Sequence, residues 1–136
     1  MKTKTFVVNL GLNNNPCMEQ ECIDILKGGH LSPLASFTSF ITHMGEYEGR
    51  PEPTLVMKMV VSDYKLAEDV VRKMCTKFTQ QCIAIRQEGA EEHAGELIWN
   101  EALTDRPYTF DAEYFIDPFR RDENDVRSRI MSKLGK

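Results

Sequence analysis

The chain is 136 residues long, 41% hydrophobic and 28% charged, a size and balance that suit one globular domain with a sizeable core. No run of 18 apolar residues exists, which excludes a membrane-spanning helix. The net charge of −4 falls in blocks, near neutral over 1–87, strongly acidic over 88–125 and basic from 126 onward, so an overall basic footprint for nucleic acid is missing.

Residues 5–12 alternate, with Phe6, Val8, Leu10 and Leu12 on one face and Thr5, Val7, Asn9 and Gly11 on the other. The Met-Lys-Thr-Lys-Thr start resembles the opening of a signal peptide. Its apolar run is only seven residues, contains Asn9 and leads into Asn13-Asn14-Asn15-Pro16 without a small-residue cleavage site, so a first strand is expected. Asn15 is placed to cap a helix beginning at Pro16, with Met18, Cys22, Ile25 and Leu26 as its apolar stripe and Gly28-Gly29 as its stop.

A second strand is expected over 35–45, apolar on both faces through Phe37 and Ile41 and through Phe40 and Met44, and therefore buried on both. Residues 46–53 contain Gly49, Pro51 and Pro53 and read as a hairpin loop. A third strand follows over 54–62, with Leu55, Met57, Met59 and Val61 on one face and Thr54, Val56, Lys58 and Val60 on the other. Ser62 or Asp63 caps a helix over 67–78, whose stripe is Leu66, Val70, Val71, Met74, Cys75 and Phe78. A fourth strand over 82–86 sets Ile83 and Ile85 against Cys82, Ala84 and Arg86.

The sum is α+β: a ferredoxin-like βαββαβ core, an antiparallel sheet with two helices on one face. Residues 95–99 add an edge strand, closing a first unit at 1–100. Residues 101–136 form an extended arm with anchoring aromatics (Tyr108, Phe110, Tyr114, Phe115, Phe119) and a last helix over 123–134. The arm is expected to pack on the core or on a neighbouring subunit.

Met57 to Val61, the helix ending in Lys77-Phe78-Thr79-Gln80-Gln81, and Cys82-Ile83-Ala84-Ile85 resemble a group of uncharacterised ferredoxin-like small bacterial and phage domains. The resemblance covers 4–87 and leaves 88–136 outside. That group has no established activity, so it implies a fold and no catalytic residue.

The four cysteines form no Cys-x-x-Cys, and His30, His43 and His93 lie far apart, so neither a metal site nor any cofactor is expected. Reduced thiols in a cytoplasmic protein fit this usage. The aromatic-rich third strand of RNA-binding relatives of this fold is missing, since Met57, Lys58 and Met59 occupy it. No phosphate-cradling glycine loop appears, and His43 alone does not make a catalytic set.

The outer sheet face carries Val7, Asn9, Val56, Lys58, Val60, Ala84 and Arg86. It is too apolar for water alone, which points to a second copy of the chain or to the arm as its cover. The leading expectation is a non-catalytic, homo-oligomeric protein that binds a small anionic or nucleotide-like ligand between subunits. Lys58 and Arg86 would meet the anion. Asn9, Asn13, Asn14, His43, Tyr47 and Arg50 would form the rest of the site. The alternatives are an inhibitor or adaptor that captures a protein partner with the acidic aromatic arm, as small phage-encoded anti-defence proteins do, and a small cofactor-independent enzyme.

Overall fold

Eight-residue β1 (Lys4–Gly11) lies at the centre of a five-stranded antiparallel sheet, and its alternation decides which side of that sheet becomes the core. The computed structural model describes residues 2–90, 93–112 and 115–119. The other elements are α1 (Glu19–Lys27), β2 (Ser36–Tyr47), β3 (Arg50–Val61), α2 (Tyr64–Lys77), β4 (Cys82–Gln87) and β5 (Glu96–Trp99). The strand order is β2-β3-β1-β4-β5. Among the described residues the protein is therefore a mixed α+β fold with two helices, both on one face of the sheet. The last helix expected over 123–134 lies outside the described residues.

Phe6, Val8 and Leu10 on β1 meet Leu55, Met57 and Met59 on β3, Ile83 and Ile85 on β4, and Ile98 on β5. Cys22 and Leu26 of α1, with Val70, Val71, Met74, Cys75 and Phe78 around α2, complete this layer. Burying such side chains contributes about 1.5–3 kcal/mol each, which makes this layer the main source of stability. Helix α2 starts at Tyr64, three residues before the expected 67, and of the two expected caps Asp63 serves: its carboxylate accepts from the Leu66 amide at 2.8 Å.

Three local expectations are corrected. Helix α1 begins at Glu19 after Met18, without a side-chain cap. The Asn15 carbonyl instead accepts from the Cys17 amide at 2.9 Å, closing an Asx turn that delays the helix by one turn.

Strand β2 is not buried on both faces. It is an outer strand of the sheet in which Phe37 is buried while Met44 is 68% exposed, so its apolar residues report position at the rim rather than depth. A bulge between Thr38 and Ile41, with Ser39 at φ 61°, breaks the alternation that would have separated the two cases.

Residues 46–53 are mostly strand, not loop. Tyr47 pairs with Arg50 across a two-residue turn, Glu48-Gly49, whose positive φ values of 52° and 77° match the twist of a tight hairpin. Pro51 and Pro53 are tolerated because β1 ends at Gly11 opposite Thr54. Beyond that point the Leu12 amide still donates to the Pro53 carbonyl at 2.9 Å, but proline has no amide to return the bond and the ladder to β1 stops there.

Among the described residues no helix is long and apolar enough to cross a membrane. All four cysteines are free thiols.

Candidate functional site

The side of the sheet away from the helices is shared between two neighbours, the arm and a cavity. Val7, Val56 and Phe115 form a second buried cluster, with Ala84, Phe110, Ile116 and Phe119 packed against it. The apolar centre of the outer face is thus covered by Phe110, Phe115, Ile116 and Phe119 of the same chain.

Polar groups hold the arm in register. The Asn9 amide nitrogen donates to the Ile116 carbonyl at 2.9 Å, and the Ile116 amide donates back to the Asn9 carbonyl oxygen at 3.0 Å. Arg86 donates to the carbonyls of Ala94 and Ala112, lies 4.6 Å from the centre of the Phe115 ring, and approaches Asp117 at 3.9 Å. Lys58 pairs with Glu88 at 3.2 Å and sits over the Phe119 ring at 4.9 Å. Both cations that the sequence assigned to an anionic ligand are engaged in binding the arm.

Beyond the arm, where β2 and β3 extend past β1, the outer face opens into a cavity of about 310 Å³. Its floor is the sheet at Asn9, Gly11, Thr54 and Ala84. One wall is the β2–β3 hairpin, one is residues 79–82, and the third is the arm at Tyr108, Phe110 and Ile116.

Glycine makes this space. A Cβ on Gly11 would overlap the Glu52 carboxyl group, with Cδ at 2.7 Å, and a Cβ on Gly45 would lie 2.7 Å from the Thr54 hydroxyl. The absence of a side chain at Gly11 lets Glu52 lie flat across the end of β1, where the Asn13 amide donates to it. Burial pushes the Glu52 carboxyl above its ordinary range, and that amide only partly offsets the effect.

Tyr47 reaches across the cavity. Its hydroxyl donates to Gln81 Oε1 and lies beside the Cys82 thiol, and its ring contacts that of Tyr108 with centroids 4.7 Å apart. Burial, reinforced by neighbouring Glu48 and Glu52, raises the Tyr47 hydroxyl far above neutrality, so it acts as a donor at physiological pH. Burial likewise pushes the Cys82 thiol up to about 11, which keeps it protonated. The site therefore offers neutral phenol, thiol and amide groups together with carboxylates.

Of the eight residues singled out from the sequence, Asn9, Asn13, Asn14, Tyr47 and Arg50 line the cavity. His43 stands exposed in the middle of β2 opposite Thr54, and Lys58 and Arg86 lie under the arm. Glu52, Gln81, Cys82 and Tyr108 belong to the cavity and were not foreseen as site residues. Extending the third strand back to Arg50 would have placed Arg50, Glu52 and Thr54 on the outer face by alternation. The two prolines hid that signal. Nothing in the sequence marks Tyr108 as a neighbour of Tyr47, because the contact joins residues 61 positions apart across the arm.

A second polar cluster lies on the helix side. Glu96 accepts from Tyr64 and meets His93 Nδ1 at 2.7 Å, while the His93 and Tyr64 rings stack at 3.7 Å. Burial opposes ionisation of Glu96, but the bonds from Tyr64 and His93 outweigh it and hold the carboxyl below its ordinary range. This cluster ties β5 to the start of α2, and none of its three residues lines the cavity described above.

No protein-family model matches the chain, and no curated protein does. Among solved structures, a phage SAM lyase in complex with S-methyl-5′-thioadenosine is similar at 15% identity and a TM-score of 0.41, over 71% of this chain and 89% of that one.

Proposed function

We propose that the protein is a small-molecule-binding protein, built on a ferredoxin-like core, whose site is the cavity beneath the β2–β3 hairpin. The observation that carries this reading is the cavity itself. Its volume of about 310 Å³ is at the lower end of the roughly 300–1,000 Å³ common for ligand sites, and aromatic rings and convergent polar groups line it together. Its lining comes from β1, the β2–β3 hairpin, residues 79–84, β5 and the arm.

This departs from the anionic ligand expected from Lys58 and Arg86. Arg50 is the one cation among the lining residues, set against Glu46, Glu48 and Glu52. At about 4 Å a pair of unit charges interacts by roughly 4 kcal/mol near a protein surface, so an anion would face a net opposing field.

Self-association remains part of the proposal, but at a different place. The arm occupies the outer face, whereas the rim strand β2 leaves Met44 and Ile41 exposed and is where a second copy would pair.

Native mass spectrometry of freshly purified protein reads retained ligand and subunit count together. Chemical-shift mapping with a library of small aromatic and polar compounds then locates binding. Shifts centred on Tyr47, Gln81 and Tyr108, and weakened by Tyr108→Ala, are expected. Shifts centred elsewhere, or none across the library, would overturn the reading.

A further inference from the structure

The cavity carries a charge pattern that selects among ligands. Glu52 lies at its floor, half-buried, with its carboxylate spread over Gly11 and one backbone amide as a partner. Among the described residues no lysine or arginine lies within 4 Å of the carboxylates of Glu46, Glu48 or Glu52. The nearby ion pairs are all spent elsewhere, with Lys58 on Glu88 and Arg86 on Asp117. A carboxylate withdrawn from water without a counter-charge is costly, and a bound cation removes that cost.

The cation is organic rather than a metal ion. Among the described residues no three His, Cys, Asp or Glu side chains converge as metal ligands would. A metal ion needs several oxygens on one point, whereas here the carboxylates are distributed along the hairpin and the remaining lining is phenol and amide. Tyr47 and Tyr108 add two aromatic rings, which attract a cation through their π faces and stack on a flat apolar group.

Resting on the small-molecule reading above, we infer that the cavity takes an organic cation, an aromatic or similarly flat group bearing an ammonium or equivalent positive centre. The positive centre lies against Glu52 and the flat part against the Tyr47–Tyr108 pair. Amide groups of Asn13, Asn14 and Gln81 serve the ligand's hydrogen-bonding groups.

Three phenols that differ chiefly in charge test this: tyramine, 2-(4-hydroxyphenyl)ethanol and 3-(4-hydroxyphenyl)propionate. Affinities are read by titrating each into labelled protein at neutral pH and following the cavity amides. Tyramine is expected to bind about tenfold more tightly than the propionate, with the alcohol between them. In Glu52→Gln the order collapses to within about twofold while the alcohol's affinity is retained, which also shows that the variant folds. If the alcohol binds at the cavity and the propionate equals or exceeds tyramine, the cation inference fails and the small-molecule reading stands. If no probe shifts the cavity amides, and neither does the wider library, both fail together.

Discussion

Asn9 and Ile116 exchange two hydrogen bonds, 2.9 and 3.0 Å, between a side-chain amide on the central strand and the backbone of the arm 107 residues later. The carboxamide of Asn9 does for the arm what a neighbouring strand would do, offering one donor and one acceptor in a fixed pair. The same residue forms part of the cavity floor, so the attachment of the arm and the shape of the site share a foundation.

Replacing Asn9 by leucine keeps the branched outline of the side chain and removes both bonds, leaving the Ile116 amide and carbonyl without protein partners. A loss of about 1–3 kcal/mol is expected, within the range for stranded polar groups. Urea denaturation measures the total. Hydrogen exchange at the Ile116 amide separates release of the arm from general loosening, because the β1 and β3 amides should keep their protection.

The two cations under the arm are not equivalent. Arg86→Lys forfeits the geometry that reaches Ala94, Ala112 and the Phe115 face at once, and a loss of about 2 kcal/mol is expected. Lys58→Met keeps its stem over Phe119 and loses a partly exposed ion pair with Glu88, so its cost should stay under about 1 kcal/mol. Equal urea midpoints for the two variants would contradict this assignment.

Glu52 and Glu96 should pull stability in opposite directions with pH. The folded-state pKa of Glu52 is raised, so the folded protein holds that proton more tightly than the unfolded chain does. Its stabilising contribution is complete below about 4.5 and is lost as pH rises through the folded value. The folded-state pKa of Glu96 is lowered, so its contribution is present above about 4.5 and is lost as pH falls through the folded value. Glu52→Gln is therefore expected to stabilise the free protein at neutral pH, and Glu96→Gln to destabilise it there. Thermal unfolding between pH 3 and 8 should show the first variant gaining on the wild type as pH rises and the second losing.

The thiols differ in reactivity for a structural reason. Cys75 is fully buried, its thiol donates to the Ile98 carbonyl at 3.6 Å, and burial pushes it up to about 12. Burial raises Cys22 and Cys82 to about 11. Brief alkylation at pH 7.5 followed by mass spectrometry should leave Cys75 unmodified until denaturant is added, with Cys22 and Cys82 slow. Rapid labelling of Cys75 in native protein would mean that α2 and β5 do not pack as described.

Much of the core was legible because period alone decides it. Phe6, Val8 and Leu10 share a face whatever surrounds them, and so do Met57 and Met59 or Ile83 and Ile85. The helix stripe from Val70 to Phe78 repeats at a spacing that only a helix brings to one side. The β2–β3 hairpin was obscured because Pro51 and Pro53 are ordinarily loop residues. Their tolerance depends on β1 ending at Gly11, a fact about a different strand. The apolar residues of β2 implied deep burial because hydrophobicity does not distinguish a rim strand carrying a bulge from a strand covered on both sides.

The sequence by itself determined the order of elements, the inner and outer faces of β1, β3 and β4, and the apolar character of the outer face at Val7, Val56 and Ala84. Those follow from local periodicity, which each segment carries within itself. Only the tertiary structure decided that the arm supplies the cover, that Lys58 and Arg86 hold it, and that Tyr47, Glu52 and Tyr108 share a cavity. These relationships join residues far apart in the chain, and the energy that selects them comes from desolvation and packing between segments, which no single segment encodes.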